Sequence, residues 1–311
     1  YDSIVAVAIT YLACNLGFSA AMLNPFTVGI AQSIAGIQLY SGVEFRTLVW
    51  FVSTLVGCGF VMFYAMKIKK NPELSPMFEH DQVKREKLKS TESEHTEFTL
   101  RHKIIIAALF TSIALVVYGV LKLEFWIPQI AAVFLGLGII SGLVGKLAPN
   151  EIAEAFTDGA KDMIGAAIMI GLAKSVMIIA QNANIIDTIL FNLANVVGQL
   201  PSLIASYIMF VIQMFINFFV SSGSGQAALT MPILAPLGDL VGISRQLSVL
   251  IYQLGDGFSN AMFPTSGVLI ACLGMAGVPY GKWLKWILPL QAILFMTAIA
   301  FITIASLIGW A

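Results

Sequence analysis

The chain has 311 residues, of which 58% are apolar or aromatic and 11% are charged, with 17 basic and 17 acidic side chains. Soluble domains carry about 25% charged residues, so the composition excludes an ordinary soluble domain, a disordered chain and a secreted disulfide scaffold. Zero net charge also excludes the electrostatic footprint of a nucleic-acid-binding protein. The class that remains is a membrane-embedded protein.

Four apolar runs are long enough to cross a bilayer as helices, since a crossing needs about 20 apolar residues. They occupy about residues 44–66, 104–123, 127–146 and 283–308. A fifth run at 164–180 follows an amphipathic stretch at 148–162, which predicts an interfacial helix leading into a crossing. Residues 184–199 indicate a further surface-lying segment. Gly138 and Gly142 have the small-xxx-small spacing that is typical of helix packing.

The charges concentrate in one segment, residues 67–103, which holds nine of the basic residues, seven of the acidic residues and all three histidines. We predict that this segment is a water-exposed linker. Basic residues favour the cytoplasmic side of a membrane protein, and a cytoplasmic linker would place 13 of the 17 basic residues on that side. The linker therefore predicts the orientation of the chain.

Three further apolar runs are interrupted by residues that end helices. The first is a hairpin, in which the run 202–220 is followed by a polar tip, Ser221 to Gln226, and by a second apolar run. The other two are spans broken midway, at 17–25 and 255–266. Backbone that is not helical at membrane depth is buried in protein or lines a wet cavity. The three breaks therefore predict a polar site inside the membrane.

The two broken spans also resemble each other at an offset of 240 residues. Residues 17–31 align without a gap with 257–271, and eight of fifteen positions are identical. Repeated discontinuous helices are typical of secondary transporters, whose site lies near the middle of the membrane. The number of crossings between the two copies is odd, so we expect an inverted repeat. Counterparts of the hairpin tip and of the span at Ile104 would precede Tyr1, so we expect a longer protein with at least roughly 140 further residues.

The polar residues of the three breaks form the candidate site. Hydroxyl and amide groups, free helix ends and glycines that admit a ligand to the backbone all suit a polar substrate. The expected substrate-binding residues are Asn24, Pro25, Thr27, Ser221, Ser222, Gly223, Ser224, Gly225, Gln226, Pro264, Thr265 and Ser266. The expected ion-coupling residues are Asp256, Ser259, Asn260, Asn15 and Ser19.

Asp256 is the only acid inside a broken span, and an ionisable residue at that depth is costly and functional by default. Three roles are open: a proton carrier, a ligand of a cation such as Na⁺, or the counter-charge for an amino group on the substrate. The structural alternative is a cap that accepts backbone N–H bonds at the break. Lys174 lies in the fifth run, and we expect it to reach the interface without joining the site.

Three segments, 24–32, 221–232 and 255–266, resemble the anaerobic four-carbon dicarboxylate carrier family. They are most similar to its YfcC-like branch, which is also classed with basic amino acid antiporters. The resemblance covers essentially the whole chain. It implies an all-α polytopic membrane protein of the ion transporter superfamily, with inverted repeats, a re-entrant hairpin and two broken helices. It also implies a homodimeric, elevator-type carrier in a bacterial inner or plasma membrane.

In an elevator carrier a transport domain moves against a scaffold. The resemblance implies that residues 1–66 and 201–311 belong to the transport domain. Residues 67–103 would be the cytoplasmic linker, and 104–200 would be the scaffold.

We therefore predict a secondary active transporter, an ion-coupled carrier or an antiporter, for small carboxylate-bearing metabolites. Dicarboxylates and basic amino acids both stay open as substrates, and Na⁺ and H⁺ as coupling ions. A channel is the alternative, but it would need a continuous polar path. An intramembrane serine hydrolase at Ser224 is a weaker alternative, because it needs a His or Lys base within reach. We expect no enzyme activity, no cofactor or bound metal other than a coupling ion, and no nucleic acid partner; the cysteines, too, lack metal-ligand spacing.

Overall fold

A computed structural model describes the backbone of residues 1–91, 98–123, 125, 127–185, 188, 192, 195 and 197–310. The regular structure in these ranges is helical. The helices are α1 (Ser3–Ser19), α2 (Ile30–Ala35), α3 (Val43–Lys70), α4 (Phe78–Thr91), α5 (Leu100–Lys122), α6 (Ile127–Gly145), α7 (Pro149–Asn182), α8 (Ser202–Phe219), α9 (Gly223–Leu240), α10 (Arg245–Ser259), α11 (Gly267–Ala276) and α12 (Tyr280–Leu307). Helix α1 contains a π-helical turn, Ala8–Leu12, and a second such turn, Pro25–Gly29, leads into α2.

Long apolar helices form where the sequence predicts spans. Among the described residues, four helices are long and apolar enough to cross a membrane: α3, α6 from Pro128, α8 and α12. The run at 104–123 also forms a helix, α5. The two runs at 148–162 and 164–180 are not separate segments, since α7 continues through both. A change from polar to apolar side chains alters the surroundings of a helix, but it does not interrupt its backbone hydrogen bonds.

The described chain divides into two compact units, residues 1–83 with 163–311, and residues 84–162. In the smaller unit, Gly138 and Gly142 of α6 face the first half of α7. A Cβ added at either glycine would lie 2.6 Å from the nearest atom of Phe156 or Ile152, respectively. The prediction that these glycines serve helix packing is therefore confirmed. Half of the surface segment predicted at 184–199 lies outside the described residues.

Helix α10 is the centre of the larger unit. Every residue from Gln246 to Ser259 is buried, and α10 packs against α1, α2, α8, α9 and α12. A helix that is buried on all sides belongs in a core or a membrane. The break predicted at 255–266 begins later than expected. Helix α10 continues to Ser259, and only residues 260–266 are non-helical.

The two broken helices share their local geometry as well as their sequence. Helix α1 ends at Ser19 and α10 ends at Ser259, so the ends differ by the same 240 residues as the sequence repeat. The Ser19 hydroxyl donates to the Asn15 carbonyl oxygen at 2.6 Å, and the Ser259 hydroxyl donates to the Gly255 carbonyl oxygen at 2.7 Å. The two copies therefore end their first half-helix in the same way.

The second half-helices also end alike. Gly36 (φ 68°) caps the C-terminus of α2 and Gly277 (φ 58°) caps that of α11, both in the left-handed region. Only glycine adopts that conformation at little cost, and it is the common cap of a helix C-terminus. The next residue, Ile37 or Val278, donates back to the helix at 3.1 or 2.8 Å.

Several residues in the first part of the charged segment are buried, whereas most of its other described side chains are exposed. Met77 is fully buried, and Ser75 and Asp81 are 8% and 7% exposed. The Asp81 carboxylate accepts from the backbone N–H of Ser3 at 2.7 Å and from its hydroxyl at 2.5 Å. The Ser75 hydroxyl donates to Asp2, the N-cap of α1, at 2.5 Å. This part of the segment is therefore anchored to the start of α1.

Candidate functional site

The two broken helices cross at very short range where their breaks begin. A Cβ added at Gly257 would lie 2.4 Å from the Cβ of Ser19 and 2.5 Å from its Cα. The Asn15 amide donates to the Gly257 carbonyl oxygen at 3.2 Å across the same contact. Gly257 is therefore needed for close approach of the two helices, and it is not itself part of the non-helical break.

The hairpin tip is shorter than predicted. Helix α8 ends at Phe219 and α9 begins at Gly223, so Gly223 to Gln226 form the first turn of a helix instead of a loop. The Ser222 hydroxyl caps this turn by accepting from the Gly225 N–H at 3.3 Å. Ser and Gly at these positions are typical of a helix start, which explains why a Gly/Ser-rich stretch is helical here.

This tip contacts both breaks. A Cβ added at Gly223 would lie 2.7 Å from the Thr27 Cγ2 atom in the first broken helix. On the other side, the Ser221 hydroxyl donates to the Thr265 carbonyl oxygen in the second break at 2.7 Å. The Tyr252 hydroxyl of α10 donates to the Gly223 carbonyl oxygen at 2.5 Å. The three interruptions that the sequence predicts therefore meet in one place.

Helix starts surround this meeting point. The π-helical turn begins at Pro25, capped by the Asn24 side chain, which accepts from the Phe26 N–H at 2.8 Å. Helix α11 begins at Gly267, directly after Ser266, and Ser266 lies 3.4 Å from the Tyr11 hydroxyl. Helix starts have free N–H groups and a partial positive charge. Ser224, in the first turn of α9, and Pro264, in the second break, are both half-buried.

Several polar atoms at this meeting point are buried without a hydrogen-bond partner. They are the Oδ1 atom of Asn15, the Oγ1 atoms of Thr27 and Thr265, and both carboxylate oxygens of Asp256. A buried polar group without a partner is costly, and in native proteins such groups need an explanation such as a bound water, an ion or a ligand. A cluster of such unpartnered polar atoms is typical of a binding site.

Asp256 lies within α10, one turn before the break. Its side chain is 1% exposed, and neither oxygen accepts a hydrogen bond. The alternative role as a cap for the helix break is therefore wrong. A buried carboxylate without donors needs a proton or a cation as its partner.

Sequence reasoning missed a polar face of the hairpin arm α8, formed by Gln213 and Asn217. The Asn217 amide donates to atoms of Asp256, Ser259 and Asn260 at 2.8, 2.8 and 3.1 Å. It therefore joins the hairpin to the second break. The available signal was the spacing of the two residues, because polar residues four apart in an apolar helix lie on one face.

Gln213 joins the two arms of the hairpin. The Gln226 amide donates to the Gln213 carbonyl and side-chain oxygens at 2.9 and 2.8 Å, and the Thr230 hydroxyl donates to the same side chain at 3.1 Å. Gln226 was expected to bind substrate. Its amide nitrogen is used inside the hairpin, while its side-chain oxygen is buried without a hydrogen-bond partner.

A buried arginine that the sequence analysis did not include in the site supports the first break. Arg46 is 1% exposed, and its guanidinium donates to the side-chain oxygen of Gln253. The amide nitrogen of Gln253 donates in turn to the Ala21 carbonyl oxygen at 2.7 Å. Arginine can only donate, so Arg46 fixes the Gln253 oxygen towards itself and the amide nitrogen towards the break.

Comparison with known proteins agrees with this architecture. The chain is 41% identical over 321 aligned residues to YfcC of Escherichia coli (strain K12), a protein named as a proposed basic amino acid antiporter; the match covers 100% of this chain and 63% of that protein. It is 34% identical over 298 residues to an uncharacterized protein of Haemophilus influenzae (strain ATCC 51907 / DSM 11121 / KW20 / Rd), covering 95% of this chain and 58% of that one. The chain therefore spans about three fifths of the length of these relatives.

A solved structure has the same fold over almost the whole chain. The crystal structure of the Alcanivorax borkumensis YdaH transporter matches with a TM-score of 0.51 and 17% identity, over 99% of this chain and 70% of that one. Residues 1–307 also match the family described as C4-dicarboxylate anaerobic carrier. With its apolar membrane-length helices and its interrupted helices, this chain belongs to the C4-dicarboxylate anaerobic carrier family of membrane transporters.

Proposed function

We propose that the protein is a secondary active transporter for small carboxylate-bearing metabolites, in which the hairpin tip and both breaks form the substrate and ion site. The observation that carries the proposal is the convergence of the three interruptions on buried polar atoms without partners, among them the Asp256 carboxylate. Helix starts at this point suit the carboxylates of a substrate. The substrate class is a dicarboxylate, as the family description says, or a basic amino acid, as the name of the Escherichia coli relative says.

The role of Asp256 would differ between the two substrate classes. A dicarboxylate does not need a buried acid, so in a dicarboxylate carrier Asp256 would hold the coupling ion. An amino acid brings its own cation, which could take the place of that ion beside the carboxylate. In either case the carboxylate is used together with a positive charge, because a lone buried charge is costly.

We further propose an elevator mechanism, in which residues 1–66 and 201–311 carry the site across the membrane. In support, all residues of the site belong to one compact unit, and α10 is buried in the middle of it. The helices of the scaffold, 104–200, would then stay in place, and the functional protein would be a homodimer.

Uptake into proteoliposomes tests the proposal. The full-length protein is reconstituted, and uptake of radiolabelled succinate, arginine and ornithine is measured with inward Na⁺ and H⁺ gradients and with the substrate preloaded inside. We expect saturable uptake of one substrate class that depends on a gradient or on exchange. Uptake that rises linearly with concentration without saturation would favour a channel, and no uptake of any substrate would contradict the proposed substrate classes.

The variant Asp256→Asn sharpens this test. It removes the charge at nearly constant size, so we expect coupled uptake to be abolished while insertion into the membrane and elution on size exclusion stay as in the wild type. Uptake at the wild-type rate in this variant would assign Asp256 a purely structural role.

A further inference from the structure

An apolar groove lies between α1 and α3 and has a volume of about 290 Å³. Ala8 and Leu12 of α1 lie at its buried side, whereas Ile9 of α1 and Met62 of α3 are more than half exposed. The groove therefore opens to the surface of the larger unit. On a helix of membrane length such as α3, this surface faces the hydrocarbon of the bilayer.

The backbone of α1 shapes the groove. Ala8, Ile9 and Leu12 belong to the π-helical turn of this helix. Such turns are rare and are frequently found at functional sites. The same turn presents Tyr11 to the second break, where its hydroxyl donates to the Asn260 carbonyl oxygen at 2.9 Å. A ligand in the groove would therefore contact the turn of α1 that supports the second break.

The groove is closed at one end and points towards lysine residues at the other. At the closed end, a Cβ added at Gly57 would overlap the Leu16 side chain, so α1 and α3 are in close contact there. Towards the other end, Lys69 follows Met62 by seven residues. Seven residues are almost two helical turns, so both residues lie on the same side of α3, about 10 Å apart along its axis. A linear apolar chain in the groove would therefore have its head near Lys69.

The length of α3 places these lysines at the depth of lipid headgroups. The helix ends with Lys67, Lys69 and Lys70, and all three are exposed. From Gly57 to Lys70 the helix rises about 20 Å, which is half of the thickness of a bilayer with its headgroups, about 40–45 Å. The groove therefore lies within one leaflet. Glu73, the next acidic residue along the chain, offsets only one of the three positive charges.

The charge at this end indicates the kind of lipid. The segment that follows α3 is predicted to be cytoplasmic, and the cytoplasmic leaflet carries the anionic lipids that attract basic residues near the membrane surface. A lysine amine has three donors and binds a phosphate as a point charge. A zwitterionic headgroup already has its own cation beside the phosphate, so it gains less from the lysines.

We propose that the groove binds one acyl chain of an anionic phospholipid and that Lys69 and Lys70 bind its phosphate. The chain fills the space beside the π-helical turn, and the phosphate neutralises the lysines. The bound lipid holds α1 against α3 and so supports the position of Tyr11 at the second break. This binding does not depend on the proposed transport function.

Thermal unfolding of the purified, delipidated full-length protein tests the site. Unfolding is followed in mixed micelles with increasing amounts of phosphatidylglycerol, or of phosphatidylcholine with the same acyl chains. We expect phosphatidylglycerol to raise the unfolding temperature saturably, since a ligand that binds only the folded state stabilises it. Phosphatidylcholine should need a concentration about tenfold higher or more. Equal midpoints for the two lipids would overturn the proposal.

Variants locate the effect. Lys69→Gln combined with Lys70→Gln removes both phosphate contacts, so the phosphatidylglycerol midpoint should rise about tenfold or more. The unfolding temperature without lipid should stay as in the wild type, because both side chains are exposed. Cys58→Phe places a ring in the groove, which the exposed Cys58 lines, and should raise the midpoint as well. An unchanged midpoint in the lysine variant would overturn the proposal, even if Cys58→Phe does not fold.

The matched control is Arg101→Gln combined with Lys103→Gln. It removes the same number of exposed positive charges, but at the start of α5. Its phosphatidylglycerol midpoint should equal that of the wild type. An equal rise in the control and in the lysine variant would overturn the assignment, because general attraction to the negative surface would then explain the binding.

Crosslinking shows where the lipid lies. The full-length protein is irradiated with phosphatidylglycerol that carries a photoreactive group on its acyl chain, and the labelled peptides are identified by mass spectrometry. We expect label within residues 8–16 of α1 and 54–62 of α3, the two segments that line the groove. Label that spares both segments would overturn the groove as the binding site.

Discussion

The contact between the two broken helices leads to a prediction with an internal control. Gly257 and Gly17 are equivalent in the sequence repeat, and both lie in helices. A Cβ at Gly257 would lie 2.5 Å from the Cα of Ser19, whereas a Cβ at Gly17 would have no atom within 4 Å. Carbon atoms in contact are usually about 3.5–4.0 Å apart. In Gly257→Ala the two helices must therefore separate by about 1 Å.

The magnitude follows from comparing the two alanine variants. Replacing a helical glycine by alanine favours the helix by about 1 kcal/mol at either position, and this contribution cancels in the comparison. The remaining term is overpacking at Gly257, which costs about 1–3 kcal/mol. The separation also stretches the bond from the Asn15 amide to the Gly257 carbonyl, already 3.2 Å long.

Thermal unfolding and uptake are measured for both variants in the same preparation conditions. Gly17→Ala should unfold at or above the wild-type temperature. Gly257→Ala should unfold several degrees below Gly17→Ala and should show strongly reduced uptake. The reasoning would be refuted if Gly257→Ala unfolded at the same temperature as Gly17→Ala and had the uptake rate of the wild type, because the close approach would then not exist in the protein.

Two further predictions concern residues outside the meeting point. Arg46→Met leaves the buried Gln253 oxygen without its donor, so the free energy of unfolding should fall by about 1–3 kcal/mol; chemical denaturation checks this, and an unchanged midpoint would contradict the support of the first break by Arg46. Asp81→Asn weakens a charged acceptor at the start of α1, where Ser3 donates two hydrogen bonds. The expected loss is about 0.5–2 kcal/mol, and trypsin should cut the charged segment faster; wild-type stability and cleavage would show that the anchor is not used.

The sequence could predict that helices are interrupted, but it could not place every interruption. Gly255 and Gly257 resemble helix breakers, yet both lie within α10, where their missing side chains allow neighbouring helices to approach. A Cβ at Gly255 would lie 2.5 Å from the Cβ of Gln213. In a sequence, a glycine can indicate either a helix break or a close contact between helices. Only the tertiary structure shows which of the two applies. The same ambiguity explains why Gly223 begins a helix instead of extending the tip.

The polar partners of the site were predictable only in part. Residues in the breaks were visible because they follow Gly and Pro, whereas Asn217 and Arg46 lie in regular helices. Their importance comes from long-range contacts with Ser259 and Gln253. Such contacts join residues that are distant in the sequence, so a local pattern can mark the polar face of α8 but cannot identify its partners.

The anchoring of the charged segment limits how the protein can be engineered. Long hydrophilic connections are the usual places for an inserted tag or fluorescent reporter, because exposed loop tips tolerate insertions. Here an insertion between Ser75 and Asp81 would have to pull Met77 out of the hydrophobic core and release the carboxylate that Ser3 binds. A reporter placed there would disturb α1, and through α1 the first broken helix, even though the surrounding sequence is the most polar of the chain.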